Sequence, residues 1–539
     1  MNSNSRAIVG ALVGCLLSLA VLPAQSQAPQ PTYWWNDRVF YEVFIRSFQD
    51  SDGDGIGDIQ GLISRLDYLN DGDPSAGEDL GITGLWLMPP TEAHSYHGYD
   101  VTDYYAVERD YGTLADMRQL VAAARERGIA VIVDMVLNHT SSRHPWFLGA
   151  RSGDPAWRDW YIWADEDPGY HGPWGDVAWH RAGGDYYYGV FWDGMPDLNF
   201  HNPAVTQEMQ HVASFWLRDI GVDGFRLDAI KHLIEAGERQ ENLPESRQWL
   251  SGYEAHLEAV KPGSFTVGEI FGGPSFVVAR YVNERAIDIG FDFKLAGEMI
   301  EAASRGSNRD IIRAHRAALR DYPFNQFATF LTNHDQNRLA NSLRQDIGRN
   351  KAAASLLLTG PGVPFLYYGE EIGMVGTKPD ERIRSPMQWD DSPLAGFSNA
   401  ARAWQPLQAA GHIASVNVAR QTADAESLLS HYRDLVHLRN RHTALRRGDW
   451  THVESSARGI YAFLRSHAQE RLLVIINLDD EASEGFTLSL AESKRDLSAP
   501  TLVFGRGELR APRLNAAGGF ADYAPVPSLP AHSTIVLVF

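Results

Sequence analysis

The chain has 539 residues and a formal net charge of −20, and 44% of its residues are hydrophobic. This length allows a large barrel domain with one or two smaller modules, and the apolar content excludes a disordered chain. The acidic charge, without long runs of lysine or arginine, argues against a nucleic-acid or anionic-membrane partner and favours a neutral substrate or a cation.

The N-terminus has the three regions of a secretory signal peptide. A short polar stretch precedes an apolar run over residues 7–22, and small residues follow it. We predict cleavage after Ala28, with Ala24 as the second choice, which gives a secreted or periplasmic protein without a stable membrane span. The residues up to Cys15 also resemble a lipoprotein signal, but apolar residues follow where polar ones are normal. Cys15 is the only cysteine, so we expect no disulfide.

Eight short segments rich in Val, Ile and Phe alternate with amphipathic stretches of helical period. Such alternation is typical of βαβ units in a parallel sheet, and eight units close most simply as a (β/α)8 barrel. The active site of such a barrel lies at the carboxyl ends of the strands. The predicted strands are residues 39–47, 84–88, 130–136, 224–228, 265–270, 287–293, 327–331 and 363–368.

Helix signals separate these strands. Thr113 and Asp116 form a capping box before a predicted helix over residues 115–127, and Gly128 supplies its stop. A second helix is predicted over residues 204–217. The segment between the third strand and this helix is rich in Trp, Tyr, Gly and Asp and is too long for an idle loop.

These patterns predict four regions. Residues 1–28 are the signal peptide, and residues 140–199 form a small inserted domain. A helical stretch at 428–445 is followed by segments of period two, which predict a C-terminal antiparallel β-sandwich over residues 451–539. The barrel takes residues 29–139 and 200–450.

Carboxylates stand at the ends of three predicted strands. Asp228 ends the fourth strand, Glu269 lies on the fifth, and Asp335 follows the seventh. A lone acid in such a place is more often a helix cap or a turn residue. Three acids on one face of a barrel fit glycoside hydrolysis, in which an ionised carboxylate attacks the anomeric carbon and a protonated one assists the leaving oxygen.

Four motifs resemble the signature regions of the α-amylase superfamily, glycoside hydrolase family 13, in order and at fitting intervals. They are DMVLNH at 134–139, GFRLDAIKH at 224–232, GEI at 268–270 and FLTNHD at 330–335. MPDLN at 195–199 and the segment 81–90 resemble its two accessory regions. The MPDLN form is similar to that of α-amylases intermediate between oligo-1,6-glucosidases and neopullulanases.

The resemblance implies a role for each acid. Asp228 would be the nucleophile that forms a covalent glycosyl enzyme, and Arg226 would keep it ionised and oriented. Glu269 would be the acid/base that protonates the leaving oxygen and then activates water. Asp335 would bind sugar hydroxyls and stabilise the oxocarbenium-like transition state.

The resemblance also implies a set of substrate contacts. Tyr99 would stack against the sugar that precedes the cleaved bond. His139 and His334 would donate hydrogen bonds to that sugar. Lys231 and His232 match the pair that lines the leaving-group subsites of α-amylases.

An acidic loop follows the first predicted strand. Its oxygens have the spacing of an EF-hand loop, although Gly61 stands at the twelfth position in place of Glu and no entering helix is evident. We therefore predict a calcium-binding loop of another type, with an acidic turn as the alternative; the same loop occurs in oligo-1,6-glucosidase-like members of the superfamily. The predicted ligands are Asp50, Asp52, Asp54, the main-chain carbonyl of Ile56, and Asp58.

Classical α-amylases imply a second calcium site between the barrel and the inserted domain. The matching positions are Asn138, Asp197 and the main-chain carbonyl of His232, and all three residue types are present. A fourth ligand, from the inserted domain, cannot be assigned. Ca²⁺ is thus the expected cofactor, at one site or two.

The signals for the particular activity are mixed. Ala229 stands where α-1,6-preferring glucosidases tend to have Val, and Lys231 with His232 favours α-1,4 cleavage within a longer chain. Asp100 and Arg384 resemble instead the residues that close the pocket around a non-reducing glucose in exo-acting glucosidases and trehalose synthases. A structural ion pair between these two residues at the rim is the other interpretation.

We predict a monomeric, secreted α-amylase acting on starch and maltooligosaccharides. The alternative is an exo-acting α-glucosidase or a transglycosylating, trehalose synthase-like enzyme, although trehalose synthases are usually intracellular. A non-catalytic binding protein of the same superfamily is a third hypothesis. Such relatives lose catalytic acids and carry a membrane span, and this chain does neither.

Overall fold

The computed structural model describes residues 33–74, 77–468, 470–493, 497 and 499–539. The predicted signal peptide and Cys15 lie outside the described residues. Within the described part of the chain, no helix is both long enough and apolar enough to cross a membrane.

Eight parallel strands form the central sheet, which confirms the predicted (β/α)8 barrel. The strands are buried along their length because apolar side chains pack inside the barrel and against the surrounding helices. The first strand pairs with the second and the eighth, and a bridge between Phe291 and Ala328 joins the sixth to the seventh. In chain order the strands are Phe40–Val43, Gly84–Leu87, Ala130–Met135, Gly224–Leu227, Phe265–Gly268, Ile289–Gly290, Ala328–Thr329 and Val363–Tyr367.

The sixth and seventh strands are shorter than predicted. The predicted sixth segment, 287–293, contains only two residues of regular ladder. The chain leaves the strand early because Asp292 caps the next helix, accepting a hydrogen bond of 2.9 Å from the backbone nitrogen of Leu295.

The helices surround the barrel. The capping box before the helix at 114 is confirmed: Thr113 nitrogen donates to Asp116 at 2.8 Å, and Asp116 nitrogen donates to the Thr113 hydroxyl at 3.3 Å. The predicted helix at 428–445 is two helices, because His442 takes an extended backbone conformation between them. The α-helices of the described residues run over Ile59–Ser64, Leu66–Leu69, Leu114–Glu126, Pro145–Arg151, Pro203–Phe215, Pro244–Val260, Ser275–Asn283, Phe293–Arg305, Arg309–Asp321, Leu339–Ser342, Ile347–Thr359, Asp380–Ile383, Ala410–Ile413, Val418–Thr422, Leu428–Arg441 and Thr443–Arg447.

The segment after the third strand contains a small antiparallel sheet of its own. Its strands, in spatial order, are Trp163–Ala164, Asp185–Tyr188 and Trp179–Ala182. A bridge between His139 and Asp197 ties this segment to the carboxyl end of the third barrel strand. The segment therefore lies beside the edge of the barrel at which an active site is expected. A further hairpin pairs Thr91–Ala93 with Val101–Val107.

The C-terminal residues form the expected antiparallel sheet. One face, with Tyr461 and Phe463, belongs to the main apolar core that includes the barrel. The other face, with Ile460 and Ala462, packs in a second core under the remaining strands. Because successive side chains point to opposite faces, burial of both faces explains the nearly continuous apolar runs. The seven strands, in spatial order, are Thr501–Phe504, Thr534–Val538, Glu470–Asn477, Ile460–His467, Asp449–Ser455, Leu488–Glu492 and Gly518–Tyr523, and a separate pair joins Ser483–Glu484 to Ser528–Leu529.

Candidate active site

A cavity of about 280 Å³ opens at the carboxyl ends of the barrel strands. Four cavities among the described residues are larger, at about 910, 740, 480 and 360 Å³, and none of them contains any of the three predicted acids. Because the chemistry requires the acids, the smaller cavity is the candidate site. Its walls are made by His97, Tyr99, His139, Phe191, Met195, Asp228, Ala229, Glu269, Asp335, Asp380 and Arg384.

One buried guanidinium holds both the predicted nucleophile and the predicted acid/base. Arg226 Nη1 lies 2.6 Å from Asp228 Oδ1, and its Nη2 lies 2.8 Å from Glu269 Oε2. Nη1 also lies 2.8 Å from Asp134 Oδ1, a partner that the sequence placed nearby without a role. Arg226 thus neutralises part of the charge of three adjoining carboxyl groups.

The pKa values of these acids reflect burial against that single cation. Burial raises the pKa of Asp228 to about 6; Arg226 opposes the rise, whereas Asp134 and Asp335 add to it. Burial likewise raises the pKa of Glu269, again against Arg226. Ionisation of all three clustered carboxyl groups beside one cation is unfavourable, because the negative charges repel one another. The cluster therefore keeps a proton at a pH at which exposed carboxyl groups have lost theirs.

A strained turn connects the nucleophile to the acid/base. Ala229, directly after Asp228, has φ 50° and ψ 28°, a left-handed conformation that is uncommon for a residue other than glycine. This turn directs the Ala229 backbone nitrogen toward Glu269 Oε2, to which it donates at 3.1 Å. The position of Glu269 relative to Asp228 is thus set by main chain as well as by Arg226. Alanine gives no sequence signal for positive φ, so this contact was not foreseen.

A fully buried histidine supports Asp335. His334 Nε2 lies 3.2 Å from Asp335 Oδ2, and its Nδ1 lies 2.5 Å from Glu42 Oε1. Burial alone would lower the pKa of His334, but Asp335 and Glu42 raise it to about 10. Although burial opposes it, His334 and Arg384 hold the pKa of Asp335 well below its usual range. Asp335 therefore faces the cavity as a carboxylate backed by an imidazolium.

Sequence reasoning missed Glu42. The sequence feature that could have identified Glu42 is that it is a single acid in the otherwise apolar first strand. Burial of a charged residue there is unfavourable unless the residue has a partner. That partner, His334, lies 292 residues further along the chain.

Tyr99 and His139 reach the cavity as predicted. The Tyr99 ring stacks on His334 with centroids 5.4 Å apart, and its hydroxyl donates to Asp134 Oδ2 at 3.0 Å. His139 Nε2 lies 3.1 Å from the Tyr99 carbonyl, and burial lowers the pKa of His139 to about 3. His139 is therefore a neutral imidazole whose single N–H, on Nε2, is donated to the Tyr99 carbonyl and not to a sugar as predicted.

Asp100 and Arg384 do not pair with each other. The buried Asp100 carboxylate accepts hydrogen bonds from the nitrogen and the hydroxyl of Ser95, at 3.0 and 2.5 Å. Arg384 Nη2 instead lies 2.9 Å from Asp335 and 3.1 Å from Asp380. Neither the pocket-closing pair nor a direct ion pair at the rim is formed. Asp380, four residues before Arg384 on a short helix, was missed by the sequence reasoning.

Lys231 and His232 lie outside the walls of the cavity. Lys231 Nζ is 2.8 Å from Glu241 Oε2 and 3.0 Å from the carbonyl of Phe271. His232 Nδ1 is 2.9 Å from the Gln240 carbonyl. Both side chains are nearly buried, so any contact they make with substrate lies beyond the sugar that is cleaved.

The acidic loop brings three of its predicted ligands together. Asp50, Asp52 and Asp58 each offer a carboxylate oxygen within 4.8 Å of the others, while Asp54 Oδ1 accepts from the Ile56 nitrogen at 2.7 Å. Clustered carboxylate oxygens are the donors that Ca²⁺ prefers, so these residues fit the ion.

Gly61 explains why the loop is not an EF-hand. A Cβ atom at Gly61 would lie 2.0 Å from the carbonyl oxygen of Gln49, so the glutamate of an EF-hand cannot stand there. The Gly61 nitrogen instead donates to Asp58 Oδ1 at 2.7 Å, so that Asp58 caps the helix Ile59–Ser64. The loop therefore leads directly into the barrel.

The second predicted calcium site contains an unpartnered buried oxygen. Asn138 Nδ2 donates to Asp197 Oδ2 at 2.9 Å, but the buried Asn138 Oδ1 has no partner among the described residues. Burial raises the pKa of Asp197 well above its usual range, and the nearby Glu235 raises it further. Within the described ranges no cationic side chain pairs with either acid. Two carboxyl groups and a free amide oxygen fit a divalent cation; Glu235 was missed by sequence reasoning.

A (β/α)8 barrel with paired acids at its strand ends has the organisation of a glycoside hydrolase. The family described as "Alpha amylase, catalytic domain" matches residues 42–448. The chain therefore belongs to the α-amylase family of glycoside hydrolases.

Known proteins of this family differ in activity. Alpha-amylase 3 of Dictyoglomus thermophilum is 38% identical over 453 residues, which is 83% of this chain and 85% of that protein. The trehalose synthase/amylase TreS of Mycolicibacterium smegmatis is 33% identical over 501 residues, 82% of each chain. Among solved structures, an alpha-amylase from H. orenii is 39% identical with a TM-score of 0.81, covering 93% of this chain and 99% of that one.

Proposed function

We propose that this glycoside hydrolase is a secreted α-amylase that cleaves α-1,4-glucosidic bonds of starch and maltooligosaccharides with retention of configuration. The observation that carries the proposal is the shared guanidinium of Arg226 between Asp228 and Glu269. Carboxyl groups that contact two nitrogens of one guanidinium lie side by side. This arrangement favours the separation of retaining enzymes, about 5 to 5.5 Å, over the wider gap of inverting ones.

In the proposed reaction, each acid uses the oxygen that Arg226 leaves free. Arg226 binds Oδ1 of Asp228, so the other oxygen of this carboxylate attacks the anomeric carbon. Glu269 Oε2 accepts from Arg226 and Ala229, so its Oε1 carries the proton that goes to the leaving oxygen. Glu269 then takes a proton from water as the water attacks the glycosyl enzyme.

The remaining cavity groups stabilise the positive charge that develops on the sugar. Asp335 stays ionised because His334 and Arg384 adjoin it, so it can bind hydroxyls and offset an oxocarbenium-like transition state. His139 positions Tyr99 through the hydrogen bond from its Nε2 to the Tyr99 carbonyl. Tyr99 gives the sugar an apolar face on which to stack.

Cleavage inside a chain is supported by the separation of Asp100 from Arg384. With Asp100 bound to Ser95, no direct salt bridge between these residues closes the far end of the cavity. The alpha-amylases among the relatives reach 38 and 39% identity. The contact of Arg384 with Asp380 at the cavity wall favours the second candidate, an exo-acting α-glucosidase or transglycosylating enzyme.

The products released from maltoheptaose, with and without a blocked non-reducing end, distinguish the α-amylase from the exo-acting candidate. Internal cleavage should release maltose or maltotriose early and should also cut the blocked substrate. Glucose as the only early product, with the blocked chain uncut, would favour the exo-acting candidate.

Ca²⁺ is proposed as a structural cofactor. Asp50, Asp52 and Asp58 would hold one ion, and Asn138 with Asp197 a second. The ion would neutralise clustered carboxylates and stabilise the loops that carry them, without taking part in bond cleavage. Secretion is proposed from the N-terminal signal pattern.

A further inference from the structure

Trp404 connects two sites that lie far apart in the sequence, the acidic loop at 50–58 and Arg384 in the wall of the active-site cavity. It belongs to the long segment between the eighth barrel strand and the helix Leu428–Arg441. Its side chain is half-buried, and it is not among the residues that line the cavity. Its contacts nevertheless lead to both sites.

The acidic loop holds the backbone around Trp404. The Trp404 nitrogen donates to the carbonyl of Gly55 at 2.9 Å, and the Gly55 nitrogen donates to Asp50 Oδ2 at 2.8 Å. A Cβ atom at Gly55 would lie 2.3 Å from the carbonyl oxygen of Arg402, so the two backbones touch at this point. The Ser398 hydroxyl also donates to Asp50 Oδ2, at 2.5 Å. The conformation of the loop therefore sets the position of the Trp404 backbone.

The Trp404 side chain reaches Arg384 by two routes. Its Nε1 donates to the Ser47 hydroxyl at 3.0 Å, and that hydroxyl donates to the main-chain carbonyl of Arg384 at 2.5 Å. Its ring stacks on Tyr96 with centroids 5.3 Å apart. The Tyr96 hydroxyl accepts from Arg384 Nη1 at 3.5 Å. One route thus holds the main chain of Arg384, and the other holds its guanidinium.

Arg384 passes its position on to the reacting centre. Its Nη2 lies 2.9 Å from Asp335 Oδ1, and its Nε donates to the carbonyl of His334 at 2.9 Å. Arg384 is buried, so its position depends on protein contacts more than on water. It therefore orients Asp335, the carboxylate that the proposed function assigns to the sugar hydroxyls.

We propose that Trp404 is a positioning residue for Arg384 and that it transmits the conformation of the acidic loop to the sugar-binding side of the active site. In the ordered loop, Gly55 holds Trp404 against Ser47 and Tyr96. If the loop carboxylates lack a cation, their repulsion loosens the loop, and the same contacts loosen Arg384. The inference rests on the proposed function, because it needs a cation at the loop and a sugar beside Asp335.

Steady-state kinetics on α-glucosyl fluoride measure the positioning role. This substrate places one sugar beside Asp335 and suits the α-amylase and the exo-acting candidate alike. Trp404→Ala should raise KM about tenfold and lower kcat less than about threefold, because it disturbs sugar binding and leaves Asp228 and Glu269 in place. Trp404→Phe keeps a ring for Tyr96 and should recover most of the loss. A merely structural defect would reduce the amount of active enzyme and lower kcat at unchanged KM; that result would overturn the proposal.

Hydrogen exchange followed by mass spectrometry measures the transmission without any sugar. Adding Ca²⁺ to chelated wild-type protein should slow exchange severalfold both in residues 50–58 and in residues 380–388, because ordering of the loop should extend to Arg384. Trp404→Ala should keep the first response and lose the second.

Trp249→Ala is the matched control. Trp249 is also half-buried, and its Nε1 donates to a hydroxyl, that of Thr206, at 2.8 Å. This variant should keep both exchange responses. Asp52→Ala separates the loop from the second proposed ion site, since residues 380–388 should not respond to Ca²⁺ in this protein.

The exchange responses also show what would overturn the transmission. It would be overturned if residues 380–388 did not respond in the wild type, or responded equally in Trp404→Ala. An equal loss in Trp249→Ala would overturn it as well. Wild-type protein that shows both exchange responses but does not cleave α-glucosyl fluoride would overturn the proposed function and support the link between the loop and Arg384.

Discussion

Replacing Glu42 by glutamine removes a charge that acts on the cavity through His334. The pKa of His334 rises from 6.5 to about 10 because Asp335 and Glu42 overcome the effect of burial. If the two carboxylates contribute comparably, each accounts for more than half of the net rise, because together they also offset burial; loss of one therefore lowers the pKa of His334 by at least about two pH units, or about 2.7 kcal/mol. Above the new pKa, a neutral His334 no longer supports the charge of Asp335.

Titration of the His334 ring by NMR measures this effect directly, because the alkaline limb of activity also reports loss of the proton on Glu269. We expect the pKa of His334 to fall from about 10 in the wild type to about 8 or below in the Glu42→Gln variant. Glu42→Asp is the control, because it keeps the charge; its His334 pKa should stay close to that of the wild type. An unmoved pKa in the glutamine variant, or an equal move in both variants, would refute the electrostatic role of Glu42.

The charge of Glu42 also affects how the stability of the protein depends on pH. A histidine whose pKa is raised by folding contributes stability that is complete below pH 6.5 and is lost as the pH rises through about 10. The Glu42→Gln protein should therefore lose this contribution at lower pH. Thermal melting between pH 6 and 10 provides the measurement.

Three further predictions follow from the site and the loop. Asp228→Asn and Glu269→Gln should each lower kcat by several orders of magnitude, because each removes a reacting group. The circular dichroism spectrum of each variant should remain that of a folded protein. A near-wild-type rate in either variant would show that the replaced residue does not take part in the mechanism. Chelation should lower the melting temperature of the wild type but hardly that of Asp52→Ala, since binding stabilises by linkage; identical responses of the two proteins would exclude an ion at this loop. Gly61→Ala should destabilise by about 1 to 3 kcal/mol, because its Cβ would clash with the Gln49 carbonyl; denaturant melts of this variant beside Gly252→Ala, a helical glycine whose Cβ would meet open space, separate the clash from the general effect of replacing glycine by alanine in a helix.

The barrel could be predicted because its strands are buried on both faces. Segments such as 130–136, in which Asp134 is the one charged residue, and 363–368 are apolar runs bounded by helical stretches, and both became strands of the central sheet. The sixth and seventh strands were overestimated, because the apolar residues that flank them pack in loops and helix starts. The apolar pattern of a sequence indicates which residues are buried. Burial alone does not show whether a residue belongs to a β-strand or to a loop.

The candidate site was predictable where its residues are close in sequence. Arg226 and Asp228 lie two residues apart on one strand, so their contact follows from strand geometry. Glu42, Asp380 and Glu235 were missed because their contacts depend on the closure of the whole barrel or on an irregular loop. The separation of Asp100 from Arg384 could not be predicted either, since it depends on a local hydrogen bond to Ser95.

The sharing of one guanidinium by Asp134, Asp228 and Glu269 also limits how this enzyme can be engineered. A change at Arg226 alters the charge felt by the nucleophile and by the proton donor at once. The rate of forming the covalent intermediate and the rate of resolving it cannot therefore be adjusted separately from this position. A designer who wants to change one of these rates alone has to leave Arg226 intact and alter a residue that contacts only one of the two acids.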